Sequence, residues 1–257
     1  MYIDENNTAH EDFVLSTFNT DAEYAATPRW YFEICQEIAG RHSLLRSCSV
    51  PDLLKEGKSW VISRERMEIH SYPHWNETLH ARTAIPESTS YFAPRTIVAE
   101  DSQGNEVFWS STMWAVVDYE TKMPLKVGEI YNRIQPAVDC DFVDTTLRRT
   151  PKIDIESAEA SEPVFVYRPQ VSYWDTDINR HVNNIVYLDW VLRSMDYEYL
   201  KTHRPSMIDI IWMHEIHHQD SVEVRAYKTA ENRFVYVVYV ERDGALMRAC
   251  AAEILFK

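Results

Sequence analysis

Glycine is scarce, with five residues in a chain of 257, and neither G-x-G-x-x-G nor G-x-x-x-x-G-K-[ST] occurs. The two common backbone cradles for nucleotide phosphates are therefore missing. Apolar runs are short. None approaches the roughly 18 residues of a membrane helix, and the opening MYIDENNTAHED lacks the basic and apolar segments of a secretory leader. Positive charge is also in deficit: 26 Lys and Arg stand against 40 Asp and Glu. The resulting net charge of -14 opposes nucleic acid and anionic lipid, and no basic stripe offsets it. Cys35, Cys48, Cys140 and Cys250 are far apart with no C-x-x-C pair, so neither a disulfide framework nor a thiolate zinc site is expected. These absences predict a cytoplasmic protein with no nucleic acid partner, no membrane span and no metal.

What the chain does contain is an ordinary globular composition, 45% hydrophobic and 26% charged, arranged in a repeated order. Its length fits one large domain or two of about 120 to 130 residues. Over residues 28–45, Trp30, Ile34, Ile38 and Leu45 recur at helical spacing behind Pro28, which a first helical turn tolerates. Residues 60–69, 78–85, 95–100 and 107–118 are rich in β-branched and aromatic side chains and read as an antiparallel meander. The order then recurs. A strand is expected over 164–173 and a helix over 183–199, with Leu188, Val191, Leu192, Met195 and Tyr199 as its apolar stripe. Further strands are expected near 207–215, 222–228, 233–241 and 245–256. Each half also carries a turn between its last two strands, Asp101-Ser-Gln-Gly104 and Glu241-Arg-Asp-Gly244. The pattern predicts an α+β protein built by internal duplication, each unit a long helix with an antiparallel sheet. The expected division is 1–130, a linker over 131–162 holding Pro136, Pro151 and an acidic run, and 163–257.

The chemistry concentrates in residues 175–190, DTDINRHVNNIVYLDW. Asp177, Asn179 and His181 alternate just before the second helix, so an extended or turning stretch can project carboxylate, amide and imidazole to one side. The helix that starts near Asn183 points its unpaired N–H groups and positive dipole end at whatever binds there. Such a place can polarise a carbonyl, with the imidazole as general base or water-positioning group and a carboxylate to orient it. A lone Asn or Asp here would read as a helix cap, and a lone His as packing. Their clustering favours chemistry.

A second motif misleads. His214-Glu215-Ile-His-His218 fits the H-E-x-x-H zinc-protease pattern, which needs a helix to bring both histidines onto one face. Its flanks read as strands, and i, i+4 positions on a strand lie about 13 Å apart at ~3.3 Å per residue, too far for one zinc ion. The many aromatic residues, Trp30, Trp60, Trp75, Trp109 and Trp114 among them, read mainly as core and sheet packing.

The run from Asp177 to Trp190 resembles the acyl-acyl carrier protein thioesterases, whose second half carries D-x-N-x-H-V-N-N-x-x-Y-x-x-W. Asp177, Asn179, His181, Val182, Asn183, Asn184, Tyr187 and Trp190 supply every letter. In the first half, Trp60-Val-Ile-Ser-Arg64, Pro73-x-Trp75 and the stretch from Trp114 through Asp118 and Thr121 to Pro124 look like the family's W-V-x-x-R, P-x-W and W-x-x-x-D-x-x-T-x-x-P runs. The resemblance implies two tandem hotdog units, each a long helix wrapped by an antiparallel sheet. It implies a bacterial member that hydrolyses the thioester between a fatty acyl chain and the phosphopantetheine arm of acyl carrier protein, without a cofactor.

The resemblance also implies catalytic roles for Asp177, Asn179 and His181. Glu215 resembles a glutamate of bacterial members and is a candidate for activating the water. Plant members carry a Glu-Cys pair before Asp-Ser-Val. Here Asp220-Ser-Val222 is present, but His217 stands where the cysteine would align, so direct water attack is expected. The first unit is expected to supply the acyl tunnel, with Trp60 and Ile62 as walls, and Arg180, Asn183 and Asn184 to touch substrate. An acidic carrier protein needs local positive charge to dock on a chain of this net charge. Arg180, Arg193 and the cluster Arg148, Arg149 and Lys152 are the candidates, though the cluster also reads as an ordinary solvated face. The expected assembly is a monomer or homodimer. The alternatives are an acyl-CoA thioesterase of the same fold and a non-catalytic acyl-binding hotdog protein.

Overall fold

Two strand-rich units, Met1–Thr150 and Pro151–Lys257, make up the chain in the computed structural model, which describes residues 1–88, 91–242 and 244–257. In the first unit, β1 (Tyr2–Ile3) and β2 (Ala9–Val14) lead into α1 (Pro28–Leu45) and the short α2 (Val50–Leu54). Then come β3 (Lys58–Ile69), β4 (Thr78–Ala84), β5 (Phe92–Glu100), β6 (Glu106–Asp118), β7 (Pro124–Leu125) and α3 (Gly128–Ile134). The strands pair antiparallel in the order β1-β2-β4-β5-β6-β3, with β7 on β6. Pro28 opens α1 where no N–H is needed, and Trp30, Tyr31, Phe32, Ile34, Cys35, Ile38 and Ala39 are buried along it. Tyr31 meets Phe108 of β6 edge-on at 5.3 Å, which pins the helix across the sheet. At the β5–β6 turn, Asp101 accepts from the N–H groups of Gln103 (2.8 Å) and Asn105 (2.9 Å), and Gly104 takes the left-handed φ of 82° that the turn requires.

In the second unit, α4 (Ile155–Glu159) and β8 (Phe165–Tyr167) precede α5 (Asn184–Arg193) and α6 (Tyr197–Thr202). β9 (Pro205–Trp212), β10 (Ser221–Ala230), β11 (Arg233–Arg242) and β12 (Ala245–Phe256) follow, paired antiparallel in the order β9-β12-β11-β10-β8. α5 buries Ile185, Val186, Tyr187, Leu188, Trp190 and Val191. Asp243, in the turn expected at Glu241 to Gly244, lies outside the described residues.

Several elements differ from the sequence reading. The strand expected over 164–173 is only Phe165–Tyr167, because Pro169 cannot extend the ladder. The helix expected over 183–199 breaks after Arg193 and restarts at α6, where the Asp196 carboxylate caps by accepting from Tyr199 N–H at 3.1 Å. The apolar stripe ran through the break because Tyr199 still faces the core, against Phe234 and Phe256. The strand expected to 215 stops at Trp212, and residues 213–220 form a loop. Short helices also occupy the stretch read as linker. Ile130, Tyr131 and Ile134 of α3 join the core around Trp60, and Ile155 and Ala158 of α4 pack with Tyr227, Val235 and Val237. Elements of so few turns are too short to display a period. Among the described residues no helix is long and apolar enough to cross a membrane.

The inner face of the first sheet carries an unusual polar row. Glu65 of β3 pairs in register with Thr112 of β6, which pairs with Arg95 of β5, so all three share a face. Glu65 is fully buried. Ser110 Oγ donates to its Oε1 at 2.8 Å, while its Oε2 has no partner among the described residues. Burial pushes the carboxyl up to about 7 from 4.5, against the pull of Ser110 and Cys35. The folded state therefore retains this proton at pH values where the unfolded chain has released it. Stability falls as pH rises from 4.5 through 7 and falls no further above, a loss on the order of 3 kcal/mol. We expect Glu65→Gln to remove that part of the pH dependence and to be more stable than the parent at pH 8 in urea unfolding. A variant whose stability follows pH in parallel with the parent would contradict this.

Candidate active site

The segment before α5 is organised by short-range side-chain bonds. The Asp175 carboxylate accepts from Ser172 N–H at 2.7 Å, closing a single 3-10 turn over Tyr173–Asp175. The chain then reverses. Asp177 N–H donates to His181 O (3.0 Å), Arg180 N–H donates to Asp177 O (2.9 Å), and the Asp177 carboxylate accepts from Asn179 N–H (2.8 Å). Arg180 adopts the left-handed region at φ 66°, which the reversal imposes. Thr176 and Val182 bridge to close the loop. Asn183 caps α5, its side chain accepting from Ile185 N–H at 2.9 Å, and Asn184 is the first helical residue. Of the extended and turning forms that the sequence allows, Asp177, Asn179 and His181 take the turn.

His181 is buried, whereas Asp177 and Glu215 are half-buried. Its Nδ1 lies 3.2 Å from Val182 O. A carbonyl only accepts, so this bond assigns the ring proton to Nδ1 and the lone pair to Nε2. Nε2 faces Glu215 Oε1 at 3.8 Å, and Nδ1 lies 3.9 Å from Asp177 Oδ1. Both separations exceed a hydrogen bond, so the carboxylates act on the ring through charge. Burial pushes the Asp177 carboxyl up, and Glu215 adds to this; His181 and the Asn179 N–H pull it back.

Sequence reasoning singled out Asp177, His181 and Glu215, which the fold brings near one another, and missed what holds Glu215. Its loop is tied along its backbone. Ile216 N–H donates to the Tyr187 hydroxyl at 3.1 Å, that hydroxyl donates to His214 O at 3.4 Å, and Val182 N–H donates to Ile216 O at 2.8 Å. Arg242 Nη2 donates to Glu215 O and, at 2.6 Å, to the Asp220 carboxylate, which also accepts from His217 N–H at 2.8 Å. Burial opposes ionisation of Asp220, yet Arg242 and the His217 N–H hold its carboxyl below the usual range. The H-E-x-x-H segment thus lies in a loop, neither helical nor extended. Among the described residues no three His, Cys, Asp or Glu side chains group to hold a metal ion.

The first unit repeats this loop without its chemistry. Asp21 N–H donates to Ala25 O (2.8 Å), Tyr24 N–H to Asp21 O (3.1 Å) and Ala26 N–H to Pro73 O (2.9 Å), with Tyr24 left-handed at φ 58°. The Asp21 carboxylate accepts from Glu23 N–H at 2.9 Å, and the Tyr31 hydroxyl donates to Ser71 O at 2.9 Å. Asp21, Glu23, Ala25 and Tyr72 therefore occupy the places of Asp177, Asn179, His181 and Glu215. The shared signal was in the sequence, Ser16-x-x-Asn-Thr-Asp21 against Ser172-x-x-Asp-Thr-Asp177. Only the second copy has the imidazole. Trp60 and Ile62 belong to β3 of the first unit and are buried; Trp60 Nε1 donates to Cys48 O at 2.8 Å.

Comparison with known proteins matches each half of the chain to its own family domain. Residues 6–134 match the family model of the acyl-ACP thioesterase N-terminal domain, and residues 158–257 match that of the C-terminal domain. The chloroplastic palmitoyl-acyl carrier protein thioesterase of Cuphea hookeriana is 26% identical over 207 residues, covering 75% of this chain and 48% of that protein. The chain thus spans about half the length of this curated relative. An acyl-ACP thioesterase structure from Bacteroides thetaiotaomicron superposes with a TM-score of 0.81 at 24% identity, covering 98% of this chain and 99% of that one. The 12:0-ACP thioesterase of Umbellularia californica gives 0.84 at 15% identity, covering 100% and 99%. These structures share the fold, a hotdog in each unit. With both family domains matched in order, the chain belongs to the acyl-ACP thioesterase family.

Proposed function

We propose that this chain hydrolyses the thioester of a fatty acyl group on acyl carrier protein, releasing the free fatty acid and the carrier's thiol. The observation that carries the reading is the buried His181 ring, with its Nε2 lone pair turned to Glu215 at 3.8 Å and its Nδ1 side near Asp177. A water held by Nε2 and the Glu215 carboxylate attacks the thioester carbon and gives up a proton to this couple. The tetrahedral oxyanion collapses, the carbon–sulfur bond breaks, and the departing thiolate takes the proton back. Asn179 and the N-terminal end of α5 are the groups that stabilise the oxyanion. No cysteine serves as nucleophile, since Cys35, Cys48 and Cys250 are buried and Cys140 is half-buried in the first unit. Four unpaired thiols suit a reducing compartment, and we assign the protein to the cytoplasm of a bacterium. The interior of the first unit, with Trp60 and Ile62, is the place we assign to the acyl chain.

His181→Ala should lower kcat by about 10²-fold or more with the fold intact by circular dichroism, as loss of a general base requires. Turnover at the parent rate would remove His181 from the mechanism. Asp177→Asn should also impair turnover, and full activity there would make Asp177 a structural cap.

Arg242 touches no reacting atom and is a positioning residue for Glu215. Arg242→Gln should lower kcat by about tenfold and leave KM within about twofold, since it loosens the base and not the binding surface. A raised KM at constant kcat would assign Arg242 to substrate binding instead.

Carrier docking rests on charge. Arg148, Arg149, Lys152, Arg180 and Arg193 are exposed and pair with no carboxylate among the described residues. Reversing one of the two candidate groups to Glu, Arg180 with Arg193 or Arg148 with Arg149 and Lys152, should raise KM for acyl carrier substrate severalfold, leave hydrolysis of a small thioester nearly intact and weaken the salt dependence of kcat/KM. Equal losses on both substrates would assign those residues to the fold, and turnover confined to acyl-CoA would replace the carrier.

A further inference from the structure

We propose that His10 and His80 form a two-imidazole binding site for a divalent transition-metal ion on the sheet of the first unit, outside the machinery described above. His10 lies on β2 and His80 on β4, and His10 Nδ1 stands 3.1 Å from His80 Nε2, with ring centroids 5.4 Å apart. The outward nitrogens are both committed to carboxylates. His10 Nε2 lies 3.0 Å from Asp4 Oδ2, and His80 Nδ1 lies 2.7 Å from Asp12 Oδ1. An ionised carboxylate only accepts, so each of these contacts requires the proton on the outward nitrogen. Two neutral rings so fixed leave one lone pair each on the inward nitrogens, 3.1 Å apart. A positive centre must stand between them, either an extra proton or a metal ion.

The 3.1 Å separation is that of a hydrogen bond in which one proton bridges the two nitrogens; nitrogen ligands at 2.0–2.1 Å around a tetrahedral ion stand about 3.3 Å apart, so a metal ion takes that proton's place with a shift of a few tenths of an ångström. A carboxylate on the far nitrogen of each ligating histidine is the arrangement that fixes the tautomer and orients the ring at metal centres. Asp4 is itself held, its Oδ1 accepting from the N–H groups of Asn6 and Thr8, both at 2.9 Å. Tyr2 stacks on His10 at 4.7 Å with the rings within 1° of parallel, which further restricts its imidazole. The His80 side chain is 37% exposed, so an ion reaches the pair from solvent. Imidazole selects zinc, copper, nickel or cobalt over calcium or magnesium. The bound ion would tie β2 to β4 and stabilise the edge of the sheet.

Zinc chloride titrated into EDTA-stripped, dialysed protein at pH 7.5 tests this by calorimetry and thermal melting, neither of which depends on thioester hydrolysis. The parent should bind one equivalent that both His10→Gln and His80→Gln lack, and its Tm should rise by a few degrees with zinc while theirs do not. Comparison with these variants removes any zinc taken up by cysteines or by His214, His217 and His218. Asp12→Asn should weaken the affinity by about tenfold or more. If the parent binds no equivalent that both variants lack, the proposal fails. A nitrogen-15 spectrum in which the pair remains a proton-sharing imidazolium when zinc is added would likewise overturn it.

Discussion

The site depends on one backbone reversal. Between Asp177 and His181 the chain turns on itself and spends a left-handed conformation on Arg180, and in doing so delivers a buried imidazole between a carboxylate on its own turn and one on another loop. Ring orientation follows from the bond to Val182 O, which sets which nitrogen carries the proton. The remainder of the second unit secures this arrangement. Asn183 fixes where α5 begins, Tyr187 from its first turns binds on either side of Glu215, and Arg242 from β11 takes the Glu215 carbonyl.

The same reversal in the first unit shows which part of the loop is scaffold and which is chemistry. Its turn bonds recur, down to the tyrosine that binds the carbonyl before the facing residue, but Pro73 has no N–H to match the bond from Ile216 to Tyr187. What differs is a methyl group at Ala25 where the other copy has an imidazole, and Tyr72 where it has a carboxylate. The first unit has the fold of the loop without the imidazole and facing carboxylate, which concentrates the proposed hydrolysis in the second half.

Much of this was legible in the sequence, and the limits have physical causes. Pro28 and a full helical period located α1 to the residue, and long runs of β-branched and aromatic side chains located β6, β11 and β12 closely, because each element buries a face long enough to show its period. The break between α5 and α6 was hidden because the apolar positions continue across it. At Asp177 the sequence allowed an extended or a turning stretch and could not choose between them, because Asx-type bonds leave no periodic trace. Arg242 was out of reach, since its role arises from a contact 27 residues away in sequence. Likewise the pairing of His10 with His80 exists only once β2 lies beside β4.

The most direct test of the central claim is single-turnover release of fatty acid from a panel of saturated acyl carrier protein substrates, comparing the parent with Glu215→Gln. The account predicts stoichiometric free acid from the parent and release slowed by about 10²-fold or more in the variant, with substrate binding retained. Undiminished release by Glu215→Gln, or no release by the parent on any chain length, would contradict it.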